Sequence, residues 1–261
     1  CMKKYITVLL NFFFFMVVFS QTPEYGNNPK VGKILHLKDA NIYYEIYGKG
    51  EPLFLLHGNG GSIEAFKQEI PELSKHFTVI AMDTRAQGKS TDTSLEPLTY
   101  RKFAEDVKAL ADTLKLRKIN ILGWSDGGNT GLEFAITYPK NLKKLITSGA
   151  NVFPDGVGKQ EVENMKRDAA RMKAENKPER EIRLLQLMID EPQITKEQLN
   201  NIKAKVLVLA GDRDLIERAH TEYIAKEIPK SKLKIFKDTS HGVPIEKADE
   251  LNQDVIQFIR K

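Results

Sequence analysis

Ser125 stands in Gly123-Trp124-Ser125-Asp126-Gly127, a glycine-x-serine-x-glycine pattern. An apolar run from Ile119 to Gly123 leads into it, and a stretch holding Gly127, Gly128 and Gly131 leads out. Chance alone supplies the five-residue pattern in roughly one chain in ten of this length, so its setting carries the weight. A serine at the tip of a sharp strand-to-helix turn can attack a carbonyl carbon, because glycines clear the crowded flanks of the turn. The helix start then aims free N–H groups at the reacting centre.

A serine hydroxyl is a poor nucleophile until a base takes its proton. Five histidines are available: His36, His57, His76, His220 and His241. Only His241 follows the last strand-like segment, in the loop sequence Thr239-Ser240-His241-Gly242. His220 falls in a helical stretch and reads as a surface residue. A carboxylate that orients the histidine belongs between serine and histidine in chain order. Gly211-Asp212-Arg213-Asp214 follows the apolar run Val206 to Ala210 and offers two candidates. Asp214 sits deeper in the turn and is preferred, which leaves Asp212 to cap the turn or the next helix.

Upstream, His57-Gly58-Asn59-Gly60-Gly61 follows the run Leu53 to Leu56. The N–H groups of Asn59 and of Asp126 form a candidate pair of donors to a developing oxyanion. Trp124 and Asp126 flank the serine and are candidates to touch substrate. For Asp126 two roles stand open: meeting a substrate ammonium, or accepting from N–H groups at the helix start. The chemistry so assembled is acyl transfer to water, with no metal or organic cofactor. Asp83 to Ser90 ends like a phosphate-binding loop, but Asp83 occupies the place of the first glycine, which argues against a nucleotide site.

The elements that must position these residues are legible as short segments. Strand-like runs are Lys33–Leu37, Ile42–Tyr47, Leu53–Leu56, Thr78–Met82, Ile119–Gly123, Lys144–Thr147, Val206–Ala210 and Leu233–Phe236. The later runs are continuously apolar, as strands buried on both faces of a parallel sheet are. Between them, Phe103, Val107, Leu110 and Leu114 share one helical face, as do Leu132, Ala135 and Ile136 before Pro139. Pro244 suits a first helical turn, with Ile245, Ala248, Leu251, Val255 and Ile259 marking a buried face. An opening antiparallel pair followed by strand–helix alternation predicts an α/β sheet covered on both sides. About fifty charge-rich residues, roughly 152–202, interrupt the alternation, yet Val162, Met165, Met172, Ile182, Leu185 and Ile189 recur at helical spacing. Lys232 and Lys234 alternate on the last strand and read as protection of a sheet edge.

A length of 261 residues suits one core, and 41% hydrophobic with 29% charged residues excludes global disorder. The net charge of +5 is spread without a basic block, so no nucleic-acid footprint is present. Oligomeric state leaves no mark in the sequence.

Together these motifs resemble the α/β-hydrolase superfamily over about Ile42 to Ile259. The resemblance implies an α/β-hydrolase fold with a helical cap at the insertion. It maps the nucleophile to Ser125, the acid to Asp214, the base to His241 and the oxyanion donors to Asn59 and Asp126. Asp83 to Ser90 is similar to the family's D-x-R-G-x-G-x-S turn, with Ala86 where glycine is usual. Gly-Trp-Ser-Asp-Gly-Gly resembles more narrowly the elbow of valacyclovir-hydrolase-like (biphenyl-hydrolase-like) enzymes, which cleave amino-acid esters. The expected substrates are small esters, with amides and thioesters next. A perhydrolase or carbon–carbon bond hydrolase would use the same three residues, and a ligand receptor could keep the pocket without turnover. Dehalogenases and epoxide hydrolases of the fold carry a carboxylate where Ser125 stands.

The first twenty residues read separately. Lys3 and Lys4 precede an apolar run, Ile6 to Phe19, and small Ser20 suits signal-peptidase cleavage before Gln21. The expectation is a cleaved signal peptide over 1–20, export from the cytoplasm, and a leader with the first strand over 21–40. The hydrolase domain then fills 41–261. An uncleaved membrane anchor is the alternative, although the run is short for a span of about 20 residues. Cys1 is the sole cysteine, so an intrachain disulfide is ruled out.

Overall fold

The structure, a computed structural model, describes residues 24–94 and 96–261. The expected signal segment and Cys1 lie outside the described residues. Nine strands make one sheet: β1 Gly32–His36, β2 Ala40–Tyr47, β3 Glu51–Leu56, β4 Phe77–Met82, β5 Thr91–Asp92, β6 Ile119–Trp124, β7 Leu142–Ser148, β8 Lys205–Gly211 and β9 Ser231–Phe236. Their order is β1-β2-β4-β3-β6-β7-β8-β9, with the two-residue β5 beside β2. β1, β4 and β5 pair antiparallel to β2, and every later pairing is parallel. The helices are α1 Glu69–Leu73, α2 Tyr100–Thr113, α3 Asp126–Thr137, α4 Lys159–Ala174, α5 Glu179–Asp190, α6 Lys196–Asn200, α7 Arg218–Glu227, α8 Val243–Glu246 and α9 Ala248–Arg260.

Strand alternation builds two cores, one on each face. Leu53 and Leu55 of β3 pack with Ile70 of α1 and Leu251, Val255 and Ile259 of α9. Phe54 and Leu56 turn the other way, toward Val107 and Leu110 of α2, Leu132 of α3 and Ile224 of α7. The order reverses around β3, with β4 on one side and β6 on the other. Ligands of open α/β sheets bind at such a switch point, outside the carboxyl ends of the strands. The loops after β3 and β6 hold Asn59 and Ser125.

The insertion carries α4, α5 and α6. Ile182 is buried as expected, but Leu184 and Leu187 lie deeper than Leu185 and Ile189. They join Tyr100, Phe103, Leu98 and Ala86 in a small core of their own, so α5 docks on the amino end of α2. The last helix also differs from expectation. Lys247 leaves helical geometry at φ −133°, splitting α8 from α9, and Ile245 is exposed rather than part of the buried face. At the sheet edge Lys232 is exposed, whereas Lys234 pairs with Glu250 and Asp254 of α9.

Glu69 is fully buried at the start of α1, and neither carboxyl oxygen has a hydrogen-bond partner in another residue. Burial pushes its pKa up to about 8. The folded chain therefore holds this proton through a range in which the unfolded chain, with the ordinary value of 4.5, has lost it. Stability falls as pH rises from the unfolded value to about 8. Glu69→Gln is expected to raise the unfolding free energy at alkaline pH by about 2–4 kcal/mol and to change it little in mild acid. Urea unfolding at the two pH values measures the difference, and an equal effect at both would show that this carboxyl does not titrate between them.

Candidate active site

Ser125 takes φ 56° and ψ −121° between β6 and α3, a backbone conformation that side chains rarely adopt. Its N–H donates to the Ser148 carbonyl at the end of β7, 2.8 Å away. The flanking glycines are required by space. A Cβ on Gly123 would fall 2.1 Å from the Gly127 carbonyl oxygen, and one on Gly127 would fall 1.9 Å from that of Leu56.

The imidazole of His241 spans Ser125 and Asp214. Its Nδ1 lies 2.7 Å from Asp214 Oδ1 and its Nε2 lies 2.9 Å from Ser125 Oγ. An ionised carboxylate only accepts, so Nδ1 carries the hydrogen and Nε2 is left to accept from the serine hydroxyl. Asp214 also accepts from the Ile216 N–H at 2.9 Å. Asp212 instead receives the N–H groups of Asp238 and Thr239, each at 3.0 Å, which hold its carboxyl below the usual range. Its place is the turn that leads to His241.

Gly58 lies against the serine, where a Cβ on it would be 3.7 Å from Ser125 Oγ, and the Asn59 side chain reaches Asp126 next to it. Among the described residues, neither the Asn59 nor the Asp126 N–H has a protein acceptor. The loop around them is braced from below. His57 is buried, Nδ1 donating to the Gly58 carbonyl at 2.7 Å and Nε2 accepting from the Thr84 N–H at 3.0 Å. Burial drives its pKa down to about 4, so it is neutral and structural. Gln87 Oε1 accepts from the Gly60 N–H at 2.6 Å. The turn Asp83 to Ser90 thus supports the loop, and Ala86 holds the left-handed φ of 62° that makes glycine usual there.

The side chains of the two residues flanking Ser125 have partners of their own, and one role considered for Asp126 is corrected. Asp126 does not accept from N–H groups at the helix start. Its buried carboxylate takes the Tyr100 hydroxyl at 2.7 Å and the Asn59 side-chain amide at 2.8 Å. Burial raises its pKa, while the two donors and the nearby His241 favour the charged form. Trp124 donates its indole N–H to the His241 carbonyl at 2.8 Å and packs against the imidazole. The indole is thereby tied to the histidine loop.

His220 is a correction. It lies in a helix, α7, but is buried, accepting the Val152 N–H at 3.0 Å and meeting Phe153 edge-on. The surface expectation failed because α7 faces the root of the insertion. Sequence reasoning also missed Gly149 and Tyr100. Gly149 follows β7 with φ 62°, and a Cβ there would come within 2.6 Å of His241 Cε1. A glycine directly after a buried strand was the available signal. Tyr100 had none, since its hydroxyl meets Asp126 only in the fold.

The Asn59 amide has a second acceptor, the Leu184 carbonyl of α5 at 3.1 Å, which joins the loop to the insertion. Nearby, Arg183 reaches Asp92, itself paired with the buried Arg85.

This sheet and this constellation are those of a hydrolase, and the chain belongs to the α/β-hydrolase fold family, whose model matches residues 51–197. Similar chains include the serine hydrolase BPHL of Homo sapiens, 27% identical over 85% of this chain and 84% of its own. The 2-hydroxy-6-oxo-6-phenylhexa-2,4-dienoate hydrolase of Comamonas testosteroni is 28% identical over 90% and 98%. Among solved structures, a thermophilic esterase from Thermogutta terrifontis superposes with a TM-score of 0.72 and 25% identity, over 87% of this chain and 98% of that one.

Proposed function

We propose that the chain is a serine hydrolase of small esters, working through an acyl-enzyme on Ser125. The observation that carries this reading is the unbroken path Asp214–His241–Ser125 at 2.7 and 2.9 Å. As Oγ bonds to the carbonyl carbon, its proton passes to His241 Nε2, and Asp214 balances the imidazolium. The oxygen of the tetrahedral intermediate lies toward the N–H groups of Asn59 and Asp126, which among the described residues have no protein acceptor to give up. Collapse breaks the bond to the alcohol, which leaves with the proton from Nε2. Water then repeats the sequence on the acyl-enzyme and releases the acid.

A fluorophosphonate probe should label Ser125, and labelling should vanish in Ser125→Ala. Rates on an ester panel, beside a vinylogous 1,5-diketone acid, separate esterase from carbon–carbon bond hydrolysis. The second reading is retained because the similar Comamonas testosteroni protein is named for a dienoate hydrolase. No labelling and no turnover would leave a non-catalytic receptor.

Amine recognition by Asp126 is the finer question. Its oxygens already hold Tyr100 and Asn59, so a substrate ammonium must displace a donor or share an oxygen. Asp126→Asn sets an amide N–H against one of those donors and leaves it unpaired, at about 1–3 kcal/mol. Esters with and without an α-amine are expected to slow alike, by roughly tenfold, with their ratio unchanged. Measuring kcat/KM for a matched pair in both proteins checks this; collapse of the ratio alone would assign Asp126 to the ammonium.

A further inference from the structure

A cavity of about 320 Å³ opens at the end of the sheet opposite the serine, between β8, β9 and α9. Lys205, Lys230 and Lys232 line it with Leu207, Phe258 and Asp254. Lys205 is the first residue of β8, and Lys230 and Lys232 bracket the start of β9. Ser125, Asp214 and His241 all follow the carboxyl ends of their strands, so the two sites lie at opposite ends of the sheet.

The charge here is unbalanced. Among the described residues, none of these three ammonium groups has an ion-pair or hydrogen-bond partner. The acid in the lining is already engaged, because Asp254 pairs with Lys234, as does Glu250. The sheet register adds to the excess: Lys144 of β7 lies directly opposite Lys205 of β8. Like charges facing each other across strands destabilise a sheet. The crowding is felt at Lys144, whose pKa is lowered first by burial and then by Lys205 and Lys143. Lys144 donates to the Phe258 and Ile259 carbonyls at 3.0 and 2.7 Å. It thereby offsets the negative end of α9, which would otherwise repel an anion from the cavity.

We propose that this cavity binds a small organic anion, its charged group held by Lys205, Lys230 and Lys232 and its short apolar body resting on Leu207 and Phe258. The volume falls at the small end of ligand sites, and cations around an apolar floor select for an anion carrying a hydrocarbon part. A medium-chain carboxylate has this chemistry, whereas an alcohol of equal length and inorganic phosphate each lack half of it.

Calorimetric titration of the full chain with octanoate, octanol and inorganic phosphate tests the assignment. Octanoate is expected to bind, weakening about fivefold when salt is raised to roughly 0.3 M, while octanol and phosphate give no heat of binding. The Lys205→Gln/Lys232→Gln double variant should lose at least about tenfold in octanoate affinity. A charge-matched Lys33→Gln/Lys38→Gln control at the other sheet edge should bind as the parent does. Equal affinity in the cavity variant would place octanoate elsewhere, the serine site included, and overturn the proposal. So would phosphate binding as tightly as octanoate. Flotation with phosphatidylglycerol vesicles in the absence of octanoate binding would make the face a lipid-surface contact instead.

Discussion

Replacing Ser125 by alanine is expected to lower kcat by about 10⁶, the loss seen when the nucleophile of a unit acting together is removed. In the proposed reaction the hydroxyl is the group that bonds to substrate, and two neighbouring serines are otherwise placed: the Ser148 carbonyl anchors the Ser125 N–H, and Ser240 is tied to Glu246. Substrate affinity should be nearly intact, because the free N–H groups of Asn59 and Asp126 survive the change. Single-turnover kinetics with a chromogenic ester, beside equilibrium binding of a product analogue, separate the two quantities. Retention of a tenth of the activity would remove Ser125 from the reaction.

The second large effect belongs to Asp214. Asp214→Asn is expected to cost on the order of 10⁴ in kcat, because the amide reverses the hydrogen-bond demand on His241 Nδ1 and places the proton on the wrong nitrogen. Asp212→Asn should cost less than about tenfold, since that side chain braces the turn through Asp238 and Thr239 and never meets the imidazole. Comparing both variants with one ester, with thermal unfolding as a check on folding, decides the assignment. The reverse ranking would move the acid to Asp212.

The site was legible where chemistry and local geometry coincide. Glycines around Ser125 announced a turn whose flanks have no room for a Cβ, and chain order and strand ends picked out His241 and Asp214, which the fold brings to Ser125. The sheet was legible because strands buried on both faces read as unbroken apolar runs. What escaped depends on approach across the fold. Burial of His220 follows from where the insertion leaves the sheet, and the partners of Asp126 come from α2 and the loop after β3. The buried face of α5 was misplaced by one residue, Leu185 for Leu184, because a helix wedged between two surfaces buries more than one stripe. Periodicity describes a single stripe.

The backbone at residue 125 bears on whether the fold has been kept for turnover. With φ 56° and ψ −121°, the position suits glycine better than any residue with a side chain, and holding serine there costs about 1–3 kcal/mol. For a domain whose whole margin of stability is about 5–15 kcal/mol, that is a standing burden. A protein that only held a ligand would gain robustness by substituting glycine, which fits the same turn without strain. Serine at this position works against thermal endurance, and the proposed reaction at its hydroxyl supplies a reason to keep it.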